Sequence, residues 1–208
     1  MTARNRTGAC SAVLGELIYI IGGYDGHQIT NSVEKYENQL FTMETDDEKL
    51  TSKDRESGKE VADMNNPRTG ARAVDHKGRI YVIGGDTGQG PTKTCEVYDP
   101  ETNTWTFFPE MKYERKDFRA AVVHNRILVV GGYIGGCATD VIELYDIKTE
   151  AWVACEQLAQ PRANLAMATV RVEFLEDGVV EKIKFRGDVL IEKTRRINLP
   201  IQEHFNWT

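Results

Sequence analysis

Ile80-Tyr81-Val82-Ile83-Gly84-Gly85 is the stretch on which the fold turns. It is a short apolar run, rich in β-branched residues, that stops at two glycines. The pattern recurs as Leu17-Ile18-Tyr19-Ile20-Ile21-Gly22-Gly23 and as Ile127-Leu128-Val129-Val130-Gly131-Gly132. Sixteen residues before the first glycine of each pair stands an arginine: Arg6, Arg68 and Arg115. Eleven residues after the second glycine comes Glu34, Glu96 or Glu143, and two further on Tyr36, Tyr98 or Tyr145. Seven residues beyond the tyrosine lies Trp105 or Trp152, with Met43 at that count in the first unit. Ten more residues lead from each tryptophan to the next arginine, Arg115 and Arg162. The unit is 47 residues long from Arg68 to Arg115 and again from Arg115 to Arg162. From Arg6 to Arg68 it is 62, and the excess of 15 falls between Met43 and Val61. A fixed period of this size marks a repeat architecture.

Each unit reads as four short strands. The residues after the arginine are small, as in Ala71-Arg72-Ala73-Val74 and Ala120-Ala121-Val122-Val123. The second stretch is the apolar run, the third alternates (Ile142-Glu143-Leu144-Tyr145), and the fourth is aromatic (Thr104-Trp105-Thr106-Phe107). Asp25-Gly26, Lys77-Gly78, Asp99-Pro100 and Asn125-Arg126 punctuate them as turns. No apolar period of 3.6 runs long enough for a core helix. Four antiparallel strands per repeat make a propeller blade.

With these residues in hand, the chain resembles the kelch repeat, and most of all the kelch propellers of BTB-kelch adaptor proteins. Glu96-Val97-Tyr98-Asp99-Pro100-Glu101-Thr102-Asn103-Thr104-Trp105 carries that likeness best. The expected fold is all-β, a kelch-type β-propeller with three recognisable blades at 6–67, 68–114 and 115–161. The propeller portion covers 1–170, and 171–208 is an atypical C-terminal segment. Gly-Gly ends a strand where a side chain would collide or where positive φ is needed. The tyrosines and tryptophans are expected to pack blade on blade.

Two regions depart from the pattern. The insertion at 44–60 holds seven acids and four bases, with Leu50 its one apolar side chain, and reads as a solvated loop. Its surplus of three negative charges is half of the net charge of −6. Beyond Arg162 the residues through Val170 look like a fourth innermost strand, but Gly178-Val179 stands where Gly-Gly is due. Residues 171–193 read as two or three alternating strands around Glu176-Asp177-Gly178, either a degenerate blade or an unrelated tail. Propellers close with about four to eight blades, so three leave the ring incomplete. The open blade faces are then surfaces for self-association or a partner.

Composition narrows the function. The 208 residues are 40% hydrophobic and 28% charged, and no apolar stretch nears the ~18–20 residues of a membrane span. The acidic balance argues against a general nucleic-acid binder. Cys10, Cys95, Cys137 and Cys155 form no zinc spacing and read as reduced thiols of a cytoplasmic protein. His27, His76, His124 and His204 are scattered, without the Tyr/Cys/His set of a copper oxidase, and no nucleophile elbow or phosphate loop occurs. No catalysis and no cofactor are expected.

The resemblance implies a protein-binding face built from the loops after Gly-Gly and the loops between blades. The candidate contacts are Arg6, Arg68, Arg115, Arg162, Tyr24, His27 and Tyr133. Guanidinium forks bind carboxylates in pairs, which suits an acidic peptide, and exposed tyrosines supply contact area. The other reading of the four arginines is structural, each bonding carbonyls of its own blade. By resemblance the role is substrate recognition for a cullin-RING ubiquitin ligase, which needs a BTB domain that residues 1–5 leave no room for. The alternative is a cytoskeletal kelch protein that binds actin.

Overall fold

The computed structural model describes residues 5–37, 58–155, 157–165, 180–186 and 189–194. No described residue is helical. Three four-stranded antiparallel sheets follow one another along the chain, one per repeat. Blade I comprises β1 (Cys10–Leu14), β2 (Leu17–Ile21), β3 (Val33–Glu37) and β4 (Lys59–Glu60). Blade II comprises β5 (Arg72–His76), β6 (Arg79–Ile83), β7 (Cys95–Asp99) and β8 (Thr104–Phe108). Blade III comprises β9 (Arg119–Val123), β10 (Arg126–Val130), β13 (Ile142–Asp146) and β14 (Ala151–Ala154), with the small hairpin β11 (Tyr133–Ile134) and β12 (Cys137–Ala138) in the loop after its glycines. The register repeats as well: Tyr98 faces Trp105, and Tyr145 faces Trp152. This is a kelch-type propeller portion whose three blades do not close a ring.

Blade II has a neighbour on either side, and its β6 is buried on both faces from Ile80 to Ile83. Between blades I and II lie Tyr19, Ile21, Met64, Ile80, Val82, Tyr98 and Trp105. Between blades II and III lie Tyr81, Ile83, Met111, Phe118, Ile127, Val129 and Tyr145. Fully burying a side chain of this kind contributes about 1.5–3 kcal/mol. The tyrosine and tryptophan of each blade reach back to the one before. Tyr98 and Trp105 stack 5.0 Å apart, Tyr98 lies 5.8 Å from Tyr19, and Trp105 Nε1 donates to Ala62 O at 2.8 Å. Tyr145 and Trp152 lie 5.2 Å apart, Tyr145 packs on Phe108 at 4.9 Å, and Trp152 Nε1 donates to Pro109 O at 2.7 Å.

Gly-Gly is needed for close approach. At Gly84 (φ 52°) a Cβ would stand 2.8 Å from Arg115 O and 2.9 Å from Met111 Cε. The second glycine donates its N–H to the arginine carbonyl of the next blade: Gly23 to Arg68 O, Gly85 to Arg115 O and Gly132 to Arg162 O, at 2.7–2.9 Å. Any side chain would prise these blades apart.

Two boundaries move. In blade I the outer strand is Lys59–Glu60, paired with Lys35 and Glu34, so the last two residues of the charged insertion are strand. The extra residues enter between β3 and β4. Counting ten back from Arg68 then puts Gly58, not Met43, at the tryptophan position, and Gly58 faces the Tyr36 ring (its Cβ would sit 2.5 Å from Tyr36 Cζ). Met43 and the charged stretch before Gly58 lie outside the described residues. The second shift is C-terminal. Residues Met167–Thr208 form a separate unit, whose described strands β15 (Val180–Arg186) and β16 (Val189–Thr194) pair as an antiparallel hairpin. The pairing runs from Val180 opposite Thr194 to Arg186 opposite Val189, and Glu176-Asp177-Gly178 falls outside the described residues.

Candidate functional site

The repeat arginines sit inside the blades. Arg68, 1% exposed, gives Nη1 to Gly84 O and Thr94 O (both 2.8 Å), Nη2 to Thr94 Oγ1 (2.8 Å) and Glu96 Oε1 (3.0 Å), and Nε to Glu96 Oε1 (3.3 Å). Glu96 is satisfied in turn by the amides of Asn65 (2.7 Å) and Asn66 (3.1 Å) and by Asn65 Nδ2 (2.8 Å). A buried ion pair is tolerable only with its remaining lone pairs filled in this way. Arg115 repeats the arrangement with Gly131 O, Val141 O and Glu143, and Arg6 with Gly22 O, Ser32 O and Glu34. Burial pulls the Arg115 guanidinium below its ordinary pKa, and Glu143 opposes that. Each side chain ties strands two and three of its own blade, while the Arg68 and Arg115 carbonyls hold the blade before. Arg6, Arg68 and Arg115 are thus placed in the interior with their Nη groups bonded to blade acceptors, and Arg115 Nε is buried without a partner among the described residues. Arg162 is exposed; its carbonyl accepts from Gly132 and its N–H donates to Thr139 O.

The tyrosines and His27 lie elsewhere, on the face where both loop sets meet. Thr7 bridges Tyr24, Thr69 bridges Asp86, and Lys116 bridges Tyr133, so each loop after Gly-Gly lies along the segment that enters its blade. Tyr24 is 41% exposed, and its hydroxyl donates to Gly26 O at 3.0 Å. Asp25 Oδ1 accepts from the His27 and Gln28 amides, both at 2.8 Å, and those bonds lower the Asp25 pKa. His27 is exposed and Tyr133 half-buried in β11. Blade II carries Asp86 where its neighbours carry tyrosine, and Asp86 meets Lys116 of blade III at 2.7 Å. Burial resists ionisation of Asp86, but the bonds from Lys116 and the Gly88 amide outweigh it and hold the carboxyl below its usual value.

A second feature of this face escaped the sequence reading. Gly70 N donates to Gly8 O, Asp117 N to Gly70 O, and Asn164 N to Asp117 O, at 2.9–3.1 Å. These four residues, each two after a repeat arginine, have φ of 65°, 61°, 56° and 52°. Only glycine, Asn and Asp adopt that left-handed conformation readily, so their recurrence at one repeat position was the available signal. Also missed were Arg72 and Arg119, four residues after Arg68 and Arg115 at the start of the inner strands.

Among the described residues no three His, Cys, Asp or Glu gather as a metal site. Burial pushes the Cys10 and Cys95 thiols up to about 12, which leaves them protonated and unreactive. His76 Nε2 lies 3.1 Å from Asn125 Oδ1 of the next blade, at the opposite ends of the inner strands from these loops.

Comparison with known proteins places this geometry. The family model of the KLHDC2/KLHL20/DRC7 Kelch-repeats domain matches residues 1–173. Kelch-like protein 41b of Danio rerio is 38% identical over 93 residues, 41% of this chain and 15% of that protein. Kelch repeat and BTB domain-containing protein 12 of Danio rerio is 30% identical over 127 residues, 55% of this chain and 18% of that protein. The chain thus spans less than a fifth of the length of these two relatives. The solved structure titled Structure of YjhT matches with a TM-score of 0.60 at 18% identity, over 76% of this chain and 54% of that one, and shares the fold.

Proposed function

We propose that this chain, which belongs to the KLHDC2/KLHL20/DRC7 kelch-repeats family, uses its loop face to recognise a protein or peptide as a non-catalytic module. The family supports a protein-interaction module, and the likeness to Kelch-like proteins supports the finer reading. That reading is substrate recognition within a cullin-RING ubiquitin ligase adaptor of the cytoplasm, with a BTB domain to dock the cullin. One observation carries the choice of face. The loops after Gly-Gly are tied by backbone bridges to the entering segments of their blades, so Tyr24, His27 and Tyr133 are held on a firm base. Tyrosines on a backbone already fixed by bridges bind with little ordering cost.

The experiment is affinity capture from cell extract with the intact chain, compared with its Y24A/Y133A variant and with R79A at the far end of blade II. A partner that R79A keeps and Y24A/Y133A loses by more than about tenfold supports the loop face. A partner indifferent to both tyrosines overturns it. Co-sedimentation with actin filaments as the dominant interaction would replace the adaptor reading by the cytoskeletal one.

A further inference from the structure

The outer strand of blade II has an edge that the fold leaves unguarded. The fourth strand of a blade pairs on one side only, and proteins blunt such edges by short length, charge, proline or a bulge. β4 follows that rule with two exposed charged residues, Lys59 and Glu60. β8 does not. Its five residues, Thr104-Trp105-Thr106-Phe107-Phe108, hold no charge, no proline and no bulge, and Phe107 is 57% exposed. β14 is a residue shorter and has Ala154 where β8 has Phe107.

The direction of the β8 backbone groups follows from the other two blades. Val61 N donates to Val33 O in blade I, and Cys155 N donates to Ile142 O in blade III. The counterpart in blade II is Phe108 opposite Cys95. Bonding alternates along an antiparallel pair. Thr104, Thr106 and Phe108 therefore turn their N–H and C=O groups toward β7, and Trp105 and Phe107 turn theirs outward. Trp105 O accepts from Asn65 Nδ2 at 3.3 Å, which leaves it a second lone pair. The N–H groups of Trp105 and Phe107 and the Phe107 carbonyl have no partner among the described residues.

A row of outward N–H and C=O groups recognises extended backbone, and the side chains select which one. Place a second copy of β8 antiparallel to the first, with a two-fold axis at Thr106. Trp105 of each copy then stands opposite Phe107 of the other, and Thr106 opposite Thr106. Aromatic pairs and Thr–Thr pairs are both favourable across strands. Thr104 faces Phe108, and no charged residue of β8 faces another. The strand is thus its own complement, as a two-fold interface requires.

We propose that β8 is a self-association edge. Two copies of this chain pair their blade II outer strands antiparallel, Trp105 opposite Phe107, and join two four-stranded blades into one continuous sheet. A single strand pair buries less than the about 1,200 Å² of a stable complex, so the dimer is weak and depends on concentration. The contact uses none of Tyr24, His27 and Tyr133 and is independent of the protein-recognition reading. Dimerisation without a captured partner would sustain one and fail the other.

Sedimentation velocity of the intact chain between about 5 and 500 µM should show monomer passing to dimer. F107P removes an outward N–H and the ring while sparing the bonds to β7, and proline is tolerated at such edge positions. It should weaken dimerisation by about tenfold or more, and F107K likewise, with the unfolding temperature reporting that the blade stays intact. V13K, on the exposed face of blade I, should leave the dimer unchanged. Disulfide trapping in a C137S background reads the register. T106C puts two thiols in a non-hydrogen-bonded pair with Cα atoms about 4.5 Å apart, so it should cross-link under mild oxidation, whereas T104C should not. A monomer at every concentration overturns the proposal, whether or not another protein's strand takes this edge. A dimer that F107P and F107K keep and V13K abolishes also overturns it, by placing the contact on the open face of blade I. Cross-linking through T104C in preference to T106C would overturn the register.

Discussion

Blades I and II are written with the same letters and sit in different surroundings. Ile80 and Val82 are fully buried and Tyr98 is 2% exposed, because blade I covers that face. Their counterparts Ile18, Ile20 and Tyr36 are only half-buried, and Val13 beside them is 52% exposed. Where blade II has Trp105 stacked on Tyr98 and bonded to Ala62 O, blade I has Gly58 against Tyr36. The motif therefore specifies a surface suited to a neighbouring blade, and the neighbour determines how strongly each residue counts. This is the nearest-neighbour energetics of repeat proteins, seen within one chain.

The largest test of that difference is at the buried acids. E96A strands Arg68 in the interior and leaves two Asn amides without an acceptor, so it should cost about 3–5 kcal/mol in urea unfolding. E34A removes the same partner from Arg6, also buried, but frees the Tyr36 hydroxyl rather than Asn amides, and should cost less. Equal losses would show that the two faces are energetically alike. Next comes the apolar pair. I80A should cost about 2–5 kcal/mol, as other buried Ile-to-Ala changes do. I18A should cost about 1 kcal/mol, since water already reaches it.

Which of these features could be read in advance follows from where the information sits. Arginine, Gly-Gly, Glu-x-Tyr and Trp hold their spacing in unit after unit, so the blades and their aromatic contacts were legible. The position of an insertion is not encoded by spacing from one side. Counting forward from Tyr36 gave Met43, whereas counting back from Arg68 gives Gly58, and only the pairing of Lys59–Glu60 decides between them. The site was legible in outline, as loops on one face. Whether an arginine faces a ligand or its own blade depends on carbonyls and amides that no side-chain motif names, such as Thr94 O and the Asn65 amide.

The left-handed ladder gives a middle-sized test at the border of blades II and III. Asp117 holds φ 56° where blade I and blade II use Gly8 and Gly70. D117A should therefore cost about 1–2 kcal/mol, while D117G should be close to neutral. Thermal unfolding of the two variants compares them directly, and a D117A as stable as D117G would mean that the ladder residue relaxes without strain.

The smallest effect is the ion pair between Asp86 and Lys116, which bridges blades II and III on the loop face and has no counterpart between blades I and II. The pair lowers Asp86 from its ordinary 3.8 and raises Lys116 from its ordinary 10.5. A depressed carboxylate stabilises the fold above its unfolded pKa, and that contribution is lost as pH falls through the folded value. A raised lysine contributes below its unfolded pKa, and that share is lost as pH rises through its folded value. The tie is thus whole at neutral pH and fails at both extremes. Lys116 is 37% exposed at its side chain, so solvent screening limits the pair to less than about 1 kcal/mol. Wild type should exceed D86N in thermal stability at pH 7, and the gap should close between about pH 5 and pH 2.5. A gap that persists at pH 2.5 would mean that Asp86 acts through its bond from the Gly88 amide, which asparagine can also accept, rather than through its charge.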